Sequence, residues 1–217
     1  QAAALKHFGH AVISVPQTSI DEVFAKVANG QCHYGVVPVE NSTEGMVSHT
    51  LDAFINSPLK ICGELELRIR LHLLVGKDGK DKPITRICAH QQALAQSRRW
   101  LDGHYPGIER SAVSSNGEAA RMAAEEEGVA AVAGDMAEQQ YGLLQLAANI
   151  EDQPDNTTRF LIIGREDVAA SGRDKTSLVV SARNRPGALF KLLEPFQKAD
   201  VMLTRIDTRP SRTEPWT

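Results

Sequence analysis

Residues 155–160, with the sequence DNTTRF, place two hydroxyls and a guanidinium in successive positions. Thr157 and Thr158 can each donate or accept hydrogen bonds, and the planar fork of Arg159 suits a carboxylate bidentately. Such a trio is suited to an anionic, oxygen-rich small molecule. The alternative is that the threonines merely cap a strand and Arg159 pairs with a surface acid, which is the commoner case for an isolated Thr-Thr-Arg.

A turn followed by a strand positions these side chains. Pro154, Asp155 and Asn156 favour a turn, whereas the apolar run at residues 160–164 favours a buried strand. The sequence therefore predicts that the trio lies where a loop enters a strand.

A second polar cluster, ENSTEG at residues 40–45, follows the apolar run at 34–39, which is typical of a strand covered on both faces. An amphipathic helix is predicted directly after it. In open α/β sheets ligands bind at this kind of position, because helix N-termini present unpaired N–H groups to anions.

Composition excludes several classes of function. The net charge of −3, the pI near 6.2 and the lack of a clustered basic face argue against nucleic acid or an anionic membrane as the main partner. We find neither an apolar run approaching the ~18 residues of a membrane span nor a signal-peptide pattern. The three cysteines are far apart, which favours free thiols in the cytoplasm, and no histidine spacing indicates a metal site.

Strands and helices alternate along the chain, so an α/β fold is expected. Capping boxes at Ser19–Glu22 and Ser115–Glu118 begin two of the helices. Strands are predicted at residues 11–15, 34–39, 60–75 with one wet face, 86–89, 108–113, 129–133, 145–150, 160–164, 176–182 and 201–208. Helices are predicted at residues 1–8, 19–27, 46–55, 90–101, 115–127, from a cap at Asp135 to 141, and 185–199.

Two composition shifts indicate boundaries. The charged turn at residues 76–83 is a plausible crossing point between two lobes, and residues 165–174 have linker character. The β-α-β unit that follows cannot bury both of its faces, so it is either incomplete or leans on a partner chain.

Four stretches together resemble prephenate dehydratase with a C-terminal ACT regulatory domain: residues 35–42 with Glu44 and Gly45, 90–97, 155–160, and 187–189 with 209–211. The resemblance implies a catalytic domain over 1–165 that is two-lobed and similar to type II periplasmic binding proteins, with a cleft between the lobes. Lobe 1 would span about 1–76 plus 151–165, and lobe 2 about 77–150. A linker at 166–175 and an incomplete, ferredoxin-like ACT domain at 176–217 would follow.

The resemblance also implies an activity. The family converts prephenate to phenylpyruvate, water and carbon dioxide in L-phenylalanine biosynthesis, without a metal or an organic cofactor. Phenylalanine inhibits it by binding to the ACT domain, and a homodimer or homotetramer is expected.

The family's residues can be placed on this sequence. Thr158 would be the catalytic hydroxyl, Arg159 would fix a substrate carboxylate, and the amides of Asn41 and Gln96 would position reacting groups. The further substrate-binding candidates are Glu40, Ser42, Thr157, Phe160, Ser114 and Ser115. Helix capping alone is an alternative explanation for at least one of the two serines. The expected phenylalanine-binding residues are Asn184, Gly187, Ala188, Leu189, Arg209, Pro210 and Ser211.

The sequence departs from the family at several points. The family's Gly-Pro-x-Gly-Thr-Phe-type strand and loop is expected before Gln1 and the remainder of the ACT domain after Trp216, so we expect a longer protein. Ala89 stands where relatives often carry Ser or Thr, and Asp207-Thr208 where they often carry Glu-Ser. Two alternatives stay open: a non-catalytic two-lobed binding module with an amino-acid sensor, and an arogenate dehydratase. The sequence is silent on whether a chorismate mutase domain precedes residue 1.

Overall fold

Helices and strands alternate throughout the computed structural model, which describes residues 1–183 and 185–208. The strands are β1 (Tyr34–Asn41), β2 (Gly45–Met46), β3 (Lys60–Arg68), β4 (His72–Val75), β5 (Arg86–His90), β6 (Glu109–Val113), β7 (Val129–Ala133), β8 (Leu144–Ala147) and β9 (Thr157–Gly164). The helices are α1 (Ala2–Phe8), α2 (Ile20–Ala28), α3 (Ser48–Ile55), α4 (Gln91–Gln96), α5 (Arg98–His104), α6 (Asn116–Glu125), α7 (Asp135–Tyr141) and α8 (Ala188–Lys198). The predicted α/β class is confirmed.

The strand that begins at Thr157 lies inside a four-stranded antiparallel sheet with the order β2-β1-β9-β3. The aliphatic residues of β9 fill its core, and Ile163 is fully buried. The apolar run of β1 predicted burial on both faces. Instead, buried residues alternate with half-buried ones, because α2 and α3 pack against the face that carries Val37 and Val39.

A second, mixed sheet has the order β6-β5-β7-β4-β8. β5 runs parallel to β6 and β7, whereas β4 is antiparallel to both β7 and β8. α6 packs on this sheet through Ala119, Ala120 and Ala123, all of which are buried. These small side chains allow the helix to approach the strands closely.

Two chain segments connect the sheets and are hydrogen-bonded to each other. The outgoing segment is residues 69–71 and the returning one is residues 148–156; Ile150 N donates to Leu71 O at 2.8 Å, and Leu71 N donates to the buried Glu151 carboxylate at 2.9 Å. The chain thus changes sheets several residues before the turn at 76–83 that the sequence indicated. The long predicted strand at 60–75 is accordingly divided into β3 and β4.

Two further predicted elements differ because contacts distant in sequence, or their absence among the described residues, decide them. Residues 11–15 form no strand, since no strand among the described residues lies beside them and Ile13 is 90% exposed. The helix predicted at 90–101 breaks at the fully buried Ser97, where the Asp152 carboxylate accepts hydrogen bonds from Arg99 N and Trp100 N and so begins α5.

Two element ends also move. The predicted strand at 145–150 stops at Ala147, because Ile150 belongs to the returning segment. Gly134, rather than Asp135, is the N-cap of α7, while the Asp135 carboxylate accepts a hydrogen bond from His72 Nε2 at 2.6 Å.

The chain divides into two compact units, Gln1–Ala169 and Ala170–Thr217. In the described part of the second unit, α8 confirms the predicted helix, whereas residues 176–182 and 201–208 are not strands. Val179 and Met202 are 72% and 84% exposed. A strand needs a neighbour for its backbone N–H and C=O groups, and the described residues of this unit provide none. Across residues 1–183 and 185–208, no helix is long and apolar enough to cross a bilayer.

Candidate active site

The end of β1 meets the beginning of β9 because the two strands are antiparallel. Asn41 lies opposite Thr158, and Glu40 lies opposite Arg159. One extra residue in β1, Val39, shifts the register between Pro38 and Glu40. The structure therefore brings together two stretches that are more than a hundred residues apart in the chain.

The orientation of the Asn41 amide follows from its backbone partners. Thr43 N and Glu44 N donate to Asn41 Oδ1 at 2.9 and 3.1 Å. Because backbone N–H groups only donate, the oxygen must face them and the NH2 group must face the other way. Nδ2 accordingly donates to Thr158 Oγ1 and to Asn156 Oδ1, both at 2.8 Å.

Thr158 has a hydroxyl proton that this network leaves unused. Its Oγ1 accepts from Asn41 while the residue is only 9% exposed, and none of the described residues accepts the Thr158 proton in return. A buried hydroxyl that already accepts one hydrogen bond has its own O–H directed elsewhere. This arrangement suits a group that donates to a ligand.

Asn156 completes the neutral cluster, and sequence reasoning missed it. It is 2% exposed, and its backbone oxygen accepts from Ile69 N at 2.8 Å in the outgoing segment. The sequence signal was present, because Asn156 directly precedes the Thr-Thr-Arg stretch. It was interpreted only as a turn former.

Arg159 projects from the opposite face of β9, because successive residues of a strand alternate sides. Its guanidinium contacts Glu40 and Glu64, with N···O distances of 3.2 and 3.3 Å. The Thr158 hydroxyl and the Arg159 guanidinium therefore leave the strand on opposite faces. Phe160 lies on the Thr158 side and is half-buried.

Glu64 was also missed, because it lies in a stretch where apolar and charged residues alternate and charged positions are ordinarily solvated. Its carboxylate contacts Arg159 across the sheet, and this contact depends on how β3 pairs with β9.

Ser42 and Thr157 fasten the turn after β1 to the start of β9. Ser42 N donates to Thr157 O and Thr157 N donates to Ser42 Oγ, both at 2.9 Å. The Thr157 hydroxyl itself donates to Asp155 O at 3.2 Å. These two predicted binding residues are thus engaged in holding the backbone around Thr158.

Gln96 is the last residue of α4 and contacts the turn after β1. Its backbone oxygen accepts from Asp152 N at 2.7 Å, and its side-chain Nε2 donates to Glu44 Oε1 at 3.3 Å. Gln92 Nε2, one helical turn earlier, donates to the same carboxylate oxygen. The turn after β1 and α4 are therefore joined by side-chain contacts.

Ser114 and Ser115 lie at the start of α6 and have no hydrogen bond to the Asn41–Thr158 cluster among the described contacts. Ser115 Oγ accepts from Glu118 N at 3.1 Å, and the Ser114 amide and hydroxyl both donate to the Glu118 carboxylate. Those hydrogen bonds hold the pKa of Glu118 below its ordinary value. Both serine side chains are used in capping the helix.

The sequence model of the prephenate dehydratase family matches residues 1–168, which include both sheets. This match extends over well more than half of the chain.

The chain belongs to the prephenate dehydratase family.

Similar proteins carry the family name. The chain is 61% identical over its full length to the bifunctional chorismate mutase/prephenate dehydratase of Stutzerimonas stutzeri, and it spans 60% of the length of that relative. A solved prephenate dehydratase from Arthrobacter aurescens in complex with L-Phe has a TM-score of 0.81 and 31% identity, and covers 97% of this chain and 72% of its own.

Another solved protein, described as a novel type of quorum quenching acylase, has a TM-score of 0.79 and 26% identity, and covers 98% of this chain and 78% of its own. Proteins named for different activities therefore share this fold, so the activity of this prephenate dehydratase family member has to be argued from its site.

The predicted regulatory residues lie in the second unit. Gly187 is the N-cap of α8 with φ 78°, in the left-handed region that favours glycine, and it is followed by Ala188 and by Leu189, which is 57% exposed. Asn184 and residues 209–211 lie outside the described residues.

Proposed function

We propose that this chain catalyses the decarboxylating dehydration of prephenate to phenylpyruvate. The observation that carries the proposal is the Thr158 hydroxyl, which accepts from Asn41 and keeps its own proton for a ligand. Membership of the prephenate dehydratase family, supported by the match over residues 1–168, names the substrate.

The reaction needs a proton donor more than a base. The bond to the ring carboxylate breaks and its electrons move through the ring to expel the C4 hydroxyl, which takes up a proton and leaves as water. The products are carbon dioxide, water and phenylpyruvate, and aromatisation drives the step. A hydrogen bond from Thr158 to the departing oxygen would stabilise the charge that develops there. Since a threonine hydroxyl is a very weak acid, partial transfer or a relay accounts for the protonation.

The Asn41–Asn156–Thr158 cluster has the electrostatic character that this role requires. Its members are uncharged and buried, so the hydroxyl is held without a neighbouring carboxylate that would take its proton. Phe160 on the same side offers an apolar surface for a ring. Gln96 adds a further amide from the second sheet.

For Arg159 we propose a positioning role. It lies on the other face of β9, where it neutralises Glu40 and Glu64, and so fixes β9 between its neighbours β1 and β3. This role replaces the substrate-carboxylate contact that was expected from the sequence.

The two sheets suggest the wider architecture. We propose that they form two lobes similar to those of type II periplasmic binding proteins, joined by the outgoing and returning segments, with the substrate held between them. The free thiols Cys32, Cys62 and Cys88 support a cytoplasmic location.

The second unit is proposed to be part of an ACT domain that binds phenylalanine and mediates assembly into a homodimer or homotetramer. The complex of the Arthrobacter aurescens enzyme with L-Phe, which covers 97% of this chain, supports phenylalanine as the effector. The exposed residues Gly187 and Leu189 and the half-buried Ala188 at the start of α8 are the proposed contact. Leu189→Asp in the complete protein should abolish inhibition by phenylalanine; inhibition that persists would refute this placement.

The decisive experiment measures phenylpyruvate formation from prephenate by the complete protein. Thr158→Ala should lower kcat by roughly 10³-fold with a small change in KM, and Thr158→Ser should recover most of the activity. Thr85→Ala is a matched control, because the Thr85 hydroxyl donates to Gly128 O at a strand start in the second sheet. A Thr158→Ala variant as fast as wild type would refute the mechanism. A folded wild type without turnover would indicate a binding module, and turnover of arogenate alone would change the substrate.

A further inference from the structure

Glu44 forms a bridge between the two sheets, and the family resemblance gives this side chain no role. Its carboxylate Oε1 accepts from Gln92 Nε2 and from Gln96 Nε2, which lie one turn apart on α4. Its backbone N–H donates to Asn41 Oδ1 at 3.1 Å. We call these three contacts the Glu44 bridge.

The Glu44 bridge orients two amides at once. An ionised carboxylate only accepts hydrogen bonds, so the Gln96 NH2 group must face Glu44 and the Gln96 amide oxygen must be turned away from it. On its other side, the Glu44 N–H holds Asn41 Oδ1 and so directs the Asn41 NH2 group towards Thr158. One residue thus sets the orientation of a side chain on β1 and of another on α4.

The backbone of Gln96 is fixed separately, by Asp152 N, which donates to Gln96 O at 2.7 Å. The side chain is half-exposed and carries several rotatable bonds, so without Glu44 its amide is free to turn. The contacts of the carboxylate are charge-assisted, which makes them stronger than amide–amide hydrogen bonds.

We propose that Glu44 is a positioning residue that acts through Gln96 and presents the Gln96 amide oxygen as a hydrogen-bond acceptor to the substrate. This inference rests on the proposed function and adds to it a positioning residue and the direction of one hydrogen bond to the substrate. A hydroxyl on the substrate is the group that such an acceptor would hold. Its hydrogen would point to Gln96, which leaves the oxygen lone pairs for the Thr158 proton.

A double-mutant cycle on prephenate turnover by the complete protein tests the inference. Glu44→Ala should lower kcat by roughly 10-fold or more, as expected for the loss of hydrogen bonds to a charged group. Glu44→Gln keeps an acceptor oxygen and should stay within about threefold of wild type. In a Gln96→Ala background, Glu44→Ala should lower kcat by less than about twofold further, because the residue through which Glu44 acts is already absent.

The matched control is Glu125→Ala, which removes an exposed carboxylate that pairs with Arg121 within α6. It should leave kcat unchanged. Effects of Glu44→Ala and Gln96→Ala that multiply in the double variant would overturn the proposal, as would a wild-type kcat for Glu44→Ala.

Hydrogen exchange separates this inference from the proposed function. If the wild type formed no phenylpyruvate, the proposed function would fail, yet the bridge could still be measured. Glu44→Ala should speed amide exchange severalfold in residues 91–97, and Glu125→Ala should not. Equal exchange rates in wild type and Glu44→Ala would refute the bridge whatever the enzyme's activity.

Discussion

Two pairs of adjacent hydroxyls, Thr157-Thr158 at the start of β9 and Ser114-Ser115 before α6, resemble each other in sequence and differ in their burial. The Ser114 hydroxyl donates to Glu118, and Ser115 accepts from the Glu118 backbone. Thr158 accepts from the Asn41 amide, and no described residue accepts its proton. The accepting serine, Ser115, is exposed, so water can take its proton, whereas Thr158 is only 9% exposed and its proton has no acceptor among the described residues.

Reversing the donor at Asn41 should have the largest effect. Asn41→Asp keeps the shape but replaces the NH2 group with an acceptor, so that a carboxylate oxygen faces Asn156 Oδ1 and Thr158 Oγ1 in a buried site. We expect the free energy of unfolding to fall by about 3 kcal/mol and kcat to fall at least 100-fold. Urea denaturation and the prephenate assay measure the two.

Asn116→Asp provides the control for that change. Asn116 Oδ1 accepts from His90 N, and an aspartate oxygen at the start of α6 would accept the same hydrogen bond. Its stability should change by less than about 0.5 kcal/mol. Equal losses of unfolding free energy in the two variants would show that the Asn41 network does not depend on the NH2 group of Asn41.

Arg159 follows Thr158 but lies on the opposite face of β9. Its substitution tests whether a residue on that face contributes to substrate binding. Arg159→Gln removes the guanidinium that contacts Glu40 and Glu64, and all three side chains are partly exposed, so the free energy of unfolding should fall by about 1 kcal/mol. KM for prephenate should change less than about threefold. A KM raised 30-fold at unchanged stability would instead assign Arg159 to the substrate.

Ser115→Ala should remove the cap of α6 and cost about 1 kcal/mol of stability, read from thermal or urea unfolding. Its residual activity should follow the folded fraction. A fall in kcat beyond that fraction would place the serine with Thr158 after all.

The smallest effect is expected at Ser114. Its hydrogen bonds depress the pKa of Glu118, so they stabilise the fold at neutral pH, and that contribution is lost as pH falls through the depressed value. Ser114→Ala should raise the Glu118 pKa towards its ordinary value, as measured by an NMR titration. The stability difference from wild type should be largest at neutral pH and disappear in acid; an unshifted titration would contradict this.

Local patterns in the sequence predicted the fold well where an element is decided by its own residues. The capping serines at 19 and 115 and the turn that enters β9 are where propensity placed them. The break at Ser97 was not predictable, because Asp152, more than fifty residues away, supplies the hydrogen bonds that restart the helix.

The sequence pointed to only some residues of the candidate site, because strand pairing decides which of the others lie beside them. Motif resemblance found Asn41 and Thr158, yet Asn156 and Glu64 are ordinary turn and strand residues until β1, β3 and β9 pair. Thr158 and Arg159 lie on opposite faces of β9 because side chains alternate along a strand. Pairing partners and faces are properties of the assembled sheet rather than of a short stretch.

The position of β9 between β1 and β3 has a consequence for synthesis. Before the ribosome has synthesised residue 157, the nascent chain already contains β1 and β3. The edges of these strands that later pair with β9 are then unpaired, and such edges can associate with other chains. Closing the sheet then requires contacts across more than a hundred residues, which are intrinsically slow to form. Thr158 meets Asn41 only when β9 pairs with β1, so this hydrogen-bond network cannot form before residue 158 has been synthesised.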